Sequence, residues 1–259
     1  LPVDQWDGLA ISDMVMATLG ATVKKQITKK TLTKDEIIEL EFLGVGWSSF
    51  FVDCKWILKI KNAFAPASDY FDINRGERRG WDEMFYPEKG HGIEDEYIKP
   101  VLKNTRNLDS SLTIESSEDA FCCSDSIDEI KRKNNKGALS WIDKFSKSTN
   151  KKAKPLPDVL KKSGHHWYEM MAETLADIVV SVNPDKKLCF YRLNQRSFVN
   201  QRLIRFTTKT PSDLDILHAL LNSAIGMFLL EGAGFGRGLG ALDLNAGKLS
   251  RKLRVLDPK

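Results

Sequence analysis

Two strings in this chain combine residue types able to read a nucleobase. Asn74-Arg75-Gly76-Glu77-Arg78-Arg79-Gly80-Trp81 sets forked guanidiniums between glycines that let a backbone approach a partner closely. Arg192, Asn194, Gln195, Arg196, Asn200, Gln201, Arg202 and Arg205 repeat the theme. Arginine donates bidentately to guanine and Asn or Gln pairs with adenine, while Lys and Arg also neutralise phosphates. A solvated face, salt-bridged to Glu77, Asp82 and Glu83, explains the first string without a ligand.

Other chemistries fit less well. Gly232 to Gly240 touches the glycine-loop pattern of dinucleotide or S-adenosylmethionine sites, but such loops follow a strand and open a helix. Here the glycines follow helical text, which points to close packing. Cys122, Cys123, His165 and His166 lack the two-residue spacing of zinc motifs, so no metal ligands are assigned. Asp53-x-Lys55, Glu129-x-Lys131 and Asp185-x-Lys187 all match the acid-x-Lys element of magnesium nucleases, and three matches show how cheap that pattern is in a lysine-rich chain. Asp53-Cys54-Lys55, in strand-like text, is the best placed of them. No Gly-x-Ser-x-Gly string occurs. The residues themselves assign no catalytic group.

At 259 residues, 42% hydrophobic and 29% charged, the composition is that of a globular chain. Its longest nearly apolar run, Ala219 to Leu230, is broken by Asn222, Ser223 and Gly226, short of the roughly 20 residues of a spanning helix. No membrane partner is expected. Four cysteines, two of them adjacent, make no disulfide framework and imply a reducing cytoplasm. The chain opens without Met or a secretion signal and reads as a piece of something longer. A net charge of +4 hides an uneven distribution: Asn107 to Ile130 holds seven acids and no base, whereas Lys131 to Lys162 holds eleven bases against Asp143 and Asp158. Such blocks suit either two solvated surfaces or a polyanion footprint.

The elements that must position these groups follow from periodicity. Residues 1 to 44 read as helical, with Ile11, Met14, Val15 and Leu19 in register and a capping box at Thr33 to Glu36 before a stop at Gly44. Phe50 to Val52 and Trp56 to Ile60 read as a strand or hairpin. Residues 70 to 103 read as short strands and turns. A second capping box, Ser126 to Glu129, opens a helix, and Ala138 to Phe145 continues helical after Gly137. Lys147 to Pro157 reads as a loop. Lys187 to Thr208 predicts two strands joined around Asn194-Gln195. A single helix capped by Ser212, with Leu214, Leu217, Leu221, Ile225 and Phe228 as its stripe, runs to Gly232. The sum is an α+β fold: a mixed sheet with packed helices and an N-terminal helical extension.

The order of several strings resembles a known family. Ile73-Asn74-Arg75-Gly76-Glu77-Arg78-Arg79-Gly80-x4-Phe85 is followed by Tyr97-Ile98-Lys99-Pro100-Val101-Leu102-Lys103, Phe121-Cys122-Cys123-Ser124, Gly137-Ala138-Leu139 and Trp167-Tyr168. Phe198-Val199-Asn200-Gln201-Arg202-Leu203, Ala219-Leu220-Leu221-Asn222-Ser223 and Gly240-Ala241-Leu242-Asp243-Leu244 complete it. The succession resembles the C-terminal target-recognition domain of TaqI-like and type IIG adenine-specific DNA methyltransferases of restriction-modification systems. The resemblance covers roughly residues 45 to 259 and implies double-stranded DNA as partner. It implies DNA contacts from Asn74, Arg75, Arg79, Lys103 and Arg106, and from Arg192, Gln195, Arg196, Asn200, Gln201 and Arg202. Residues 1–44 would then connect to an upstream methyltransferase domain of the same parent, which would hold S-adenosylmethionine. The adenine-pocket string Asn-Pro-Pro-Tyr is missing; the nearest, Asn183-Pro184-Asp185-Lys186, lacks the aromatic that a flipped base stacks on. The rival readings are a standalone magnesium nuclease built on Asp53 and Lys55, and an interaction scaffold whose charged blocks pair with other subunits.

With neither an adenine pocket nor a cofactor loop, the isolated chain is expected neither to bind S-adenosylmethionine nor to methylate DNA. Calorimetric titration checks this, and stoichiometric micromolar binding would contradict it.

Overall fold

The computed structural model describes residues 31–46, 49–50, 52–77, 80–105, 111–116, 118–161, 163–170, 175–184, 187–236 and 242–259. The expected helix over Ile11 to Leu19 lies outside them.

Helix α1 (Lys34–Phe42) begins at the expected capping box: Glu36 N–H donates to the Thr33 hydroxyl at 3.1 Å and Thr33 N–H to the Glu36 carboxylate at 2.8 Å. Gly44, at φ +83°, stops it in the left-handed region that glycine enters without cost. The strand expected over Trp56 to Ile60 is instead helix α2 (Trp56–Lys59) and the start of a 3-10 turn. Local bonds decide the matter: Ile57 and Leu58 N–H reach Cys54 and Lys55 carbonyls at 3.1 Å, and the Trp56 indole N–H reaches Asp53 O at 3.0 Å. Strand preference counts only where neighbouring strands flank the segment, and none pairs here.

Strand β1 (Phe64–Pro66), helix α3 (Ala67–Tyr70), strand β2 (Phe71–Arg75) and helix α4 (Asp82–Phe85) follow. Then come β3 (Ile98–Leu102), β4 (Thr113–Ile114), β5 (Glu118–Phe121), α5 (Ile127–Arg132), α6 (Lys136–Ser146) and α7 (Leu156–Leu160). The last third holds β6 (Ala176–Ser181), β7 (Tyr191–Val199), β8 (Leu203–Thr208), α8 (Leu214–Leu221), α9 (Ala224–Ala233), β9 (Phe235–Gly236), β10 (Leu242–Asp243), α10 (Ala246–Lys252) and β11 (Arg254–Leu256). Seven strands form one mixed sheet in the order β2-β8-β6-β7-β3-β5, with β4 added beside β7. Strand β7 runs parallel to β3 and β4 and antiparallel to β6. The fold is α+β, as the sequence predicts.

Alternation along the strands sorts side chains between cores. Phe71, Ile73, Ile178, Val180, Ile204 and Phe206 share one core with Leu40 of α1, Leu217 and Leu221 of α8, and Leu229 of α9. Phe206 meets the Phe71 and Phe190 rings edge-on at 5.6 and 5.3 Å, geometry that adds about 0.5–1.5 kcal/mol per pair to the burial itself. A second core lies between β3, β5 and helices α5 to α7, with Val101, Phe121, Ile130, Ile142, Phe145 and Leu156. Phe198 of β7 belongs to that core, while Tyr191 and Leu193 of the same strand join Val179 in a third, smaller one.

The single helix expected from Ser212 to Gly232 is two helices bent by 79°. Asn222 breaks it: its side chain clasps Phe190, accepting from Phe190 N–H at 3.0 Å and donating to Phe190 O at 2.9 Å. Ser223, not Ser212, is the capping serine, accepting from Gly226 N–H at 3.1 Å. Nor does Gly232 end α9. It is buried inside the helix, where its carbonyl lies so close to Gly46 that a Cβ on Gly46 would stand 1.7 Å from it. Among the described residues no single helix is long and apolar enough to cross a membrane.

Helix α6 is capped from outside its own sequence. Asn135 makes no side-chain cap; Glu94 supplies it, accepting from Gly137 and Ala138 N–H at 2.7 and 2.8 Å. Burial alone would raise the Glu94 carboxyl, but these two bonds overcome it and hold it below its ordinary value. The Lys133 ammonium, 2.6 Å away, holds Asp125 low as well, and the Ser126 hydroxyl does so for Glu129. Groups depressed on folding stabilise the fold above the unfolded carboxylate range of about pH 4 and lose that contribution as pH falls through their folded values. The melting temperature is therefore expected to fall steeply below pH 4, and Glu94→Gln to lower it at pH 6 while flattening the acid slope; a scan by circular dichroism measures both.

Candidate nucleic-acid interface

Strand β7 carries half of the second predicted string, and its shape departs from expectation. Asn194-Gln195 does not join two strands; it sits within one continuous nine-residue strand. Arg192 pairs with Ile178 and Ser197 with Ala176, so Leu193 to Arg196 stand opposite Asp177 alone. Such a bulge bends the strand and re-aims its side chains. Leu193 stays buried, and Asn194, Gln195 and Arg196 face outward. The turn that ends β7 comes later, where the Asn200 side chain accepts from Arg202 N–H at 3.1 Å.

Asp177 holds the bulge in place. It is 7% exposed, and one oxygen accepts from Arg196 Nε at 2.8 Å while the other accepts from Thr208 N–H, on β8, at 2.8 Å. Two further acids fix the bulge from other elements. Arg192 pairs with Asp215 of α8, and Asn194 Nδ2 donates to Glu115, just past β4, at 2.7 Å. None of these three acids was singled out in the sequence. Asp177 had a visible signal, being a lone carboxylate inside the apolar run Ala176 to Val180.

The first string occupies the edge strand β2 and the turn after it. Asn74 is exposed and lies opposite Arg205. Arg75 Nε donates to the Gln201 carbonyl at 2.6 Å rather than pairing with Glu77, Asp82 or Glu83. Gly76 admits a close backbone approach, but from this chain and not from a ligand. Its N–H reaches Leu203 O at 2.9 Å, and a Cβ there would lie 2.2 Å from Asn200 O. Glu77 N–H meets Val199 O at 2.8 Å and Gln201 N–H meets Glu77 O at 3.1 Å, which brings both strings together. Arg79 and Arg106 lie outside the described residues.

The remaining predicted groups differ in what they offer. Asn200 is 9% exposed and donates to the Tyr86 hydroxyl at 3.3 Å, so its amide faces inward. Lys103 pairs with Glu118 and lies 5.1 Å from the Tyr86 ring centre. Arg202 is exposed and Gln201 half-buried. Arg205 is partly buried, with Nη1 on Thr207 Oγ1 at 3.1 Å; its buried Nε has no partner among the described residues. Burial lowers the pKa of its guanidinium, opposed by Glu77 and Asp72.

The charged blocks neutralise each other in part. Lys133 bridges Asp125 and Glu96, and Lys131 and Arg132 face Asp128 and Glu129. Lys151, Lys152 and Lys154 behave differently. They sit on an exposed turn built by Asn150, whose side chain accepts from Lys152 and Lys154 N–H at 2.9 and 3.0 Å. None of the three pairs with a carboxylate among the described residues, so the turn offers concentrated positive charge to an anion.

The other chemistries find little support. Asp53 accepts from Lys55 N–H at 3.3 Å, and Lys55 extends to Glu36 at 2.8 Å. Among the described residues no group of three or more His, Cys, Asp or Glu side chains could hold a metal ion. Cys122 and Cys123 are buried, and burial pushes the Cys123 thiol up to about 12. Asp185, Lys186 and Arg237 to Ala241 lie outside the described residues.

In fold, the chain is similar to the type IIG restriction endonuclease BpuSI, with a TM-score of 0.54 and 13% identity over 96% of this chain and 31% of that one. The type I restriction-modification S subunit from M. genitalium gives a TM-score of 0.35 and 14% identity over 74% of this chain and 33% of that one. The chain thus spans about a third of the length of each. No family model and no curated protein matches the sequence.

If Asp177 sets the bulge, Asp177→Ala leaves Thr208 N–H without its acceptor and frees Arg196. The expected cost is about 1.5–3 kcal/mol, read as a lower urea midpoint with an unchanged slope. An unaltered midpoint would remove Asp177 from this role.

Proposed function

We propose that this chain is the double-stranded DNA target-recognition module of an adenine-specific DNA methyltransferase, of the TaqI-like or type IIG class, whose catalytic domain belongs to another part of the parent. The observation that carries this reading is the fold shared, over 96% of the chain, with about a third of a type IIG restriction endonuclease. The mixed sheet gathers two Arg- and amide-bearing strings at β2, β7 and the turn between β7 and β8, where base edges would be read. S-adenosylmethionine would be held by the upstream methyltransferase domain. A cytoplasmic location follows from the proposed role.

Phosphate would be met by the lysine turn. Each phosphate contact releases counterions, so the logarithm of the binding constant falls with the logarithm of salt concentration by about 0.9 per contact. Fluorescence anisotropy with duplexes is expected to show binding with that dependence. Changing Lys151, Lys152 and Lys154 together to Ala should weaken binding to all duplexes alike and reduce the slope by up to about 0.9 for each lysine in contact. A chain that ignores duplex DNA would favour the scaffold, and one that nicks plasmid with magnesium alone would favour the nuclease.

A further inference from the structure

The bulge in β7 holds its polar side chains in a telling way. Arg192 is paired with Asp215, Asn194 with Glu115 and Arg196 with Asp177, each acid coming from a different element. Between them stands Gln195, exposed, with no side-chain partner among the described residues. Its backbone is fixed as well, because the Gln195 carbonyl accepts from the Ser197 hydroxyl at 3.0 Å. The strand has thus been bent outward, its flanking polar groups have been bound, and one amide has been left unengaged at the tip.

We infer that this bulge is a base-reading finger and that Gln195 reads an adenine in the major groove of duplex DNA. The inference rests on the DNA-recognition reading above and deepens it by naming the base and the residue. A glutamine amide offers one donor and one acceptor, which match adenine N7 and N6 in a bidentate pair. Partnered neighbours matter because every rotamer ordered on binding subtracts from affinity, and here the flanking side chains already have partners within the chain. Charge at the bulge is nearly balanced, with Glu115 facing the neutral Asn194 amide. Two of the three acids at the bulge, Asp177 and Asp215, are matched by guanidiniums. Arg196, whose side chain is 49% exposed, keeps guanidinium N–H groups beside the amide that an adjoining phosphate can accept from. Arg192 is therefore a positioning residue, Arg196 both positions the bulge and faces the backbone, and Gln195 makes the base contact.

The experiment selects duplexes from a random-sequence pool with the full 259-residue chain, as wild type, Gln195→Ala and Gln195→Glu, and sequences what is bound. Binding of one unrelated duplex is measured alongside, and a thermal melt verifies that each variant is folded. The wild type is expected to enrich a motif containing adenine. Gln195→Ala should lose the preference at that one position by roughly 5- to 150-fold while binding the unrelated duplex as before. Gln195→Glu should move the preference there from adenine to cytosine, whose N4 amino group a carboxylate accepts. An unchanged motif in both variants, or a uniform loss on all duplexes, overturns the inference and leaves the DNA-recognition reading intact. A wild-type chain that binds no duplex or enriches no motif overturns that reading, and this inference with it.

Discussion

The candidate surface depends on one buried carboxylate. Asp177 lies in β6, in the middle of the sheet, and grips a strand on each side, β7 through Arg196 and β8 through Thr208 N–H. A buried acid is costly unless its oxygens are satisfied. The chain meets that demand by setting four residues of β7 against this one, and so the strand bends outward at Asn194 to Arg196. The exposed string and the burial of Asp177 are therefore two sides of one constraint.

Strand β7 also joins what would otherwise be separate bodies. Its first residues pack Tyr191 and Leu193 into the small third core, and Phe198 enters the core of the α5–α7 layer. Asn200, just past its end, extends the link to Tyr86. Gly76 closes the arrangement, since only a residue without a Cβ lets β2 pass so near the Val199 and Asn200 carbonyls.

What could be read from the sequence follows the range of the interactions. Both capping boxes, at Thr33 and Ser126, are contained in four residues each and form as expected. Strand β8, with its alternation from Leu203 to Thr208, was equally legible. Failures came where a distant group decides. Helix α8 ends at Asn222 because of Phe190, thirty-two positions away. Helix α6 forms where its periodicity predicts, but its cap, Glu94, lies forty-three positions from Gly137 and is not legible. At the interface, residue types alone singled out Arg75, Arg192 and Gln195, yet could not say that Arg75 meets a carbonyl, that Arg192 is held by Asp215, or that Gln195 is left open. The Trp56 to Ile60 misreading has the opposite cause, since strand-like residues were folded into a turn by bonds to their immediate neighbours.

The pairing of β2 with β8 has a kinetic consequence. Arg75 and the Gln201 carbonyl it meets are 126 positions apart in the chain. The entropy of closing so long a loop is lost before any contact across it is gained, and such topologies fold slowly. The α5–α7 layer, whose helices are neighbours in sequence, can assemble early. The seam where the two Arg-bearing strings meet is then among the last parts of the molecule to form. During synthesis the seam stays open until β8 has emerged, so the two strings meet only after Leu203 to Thr208 has been made.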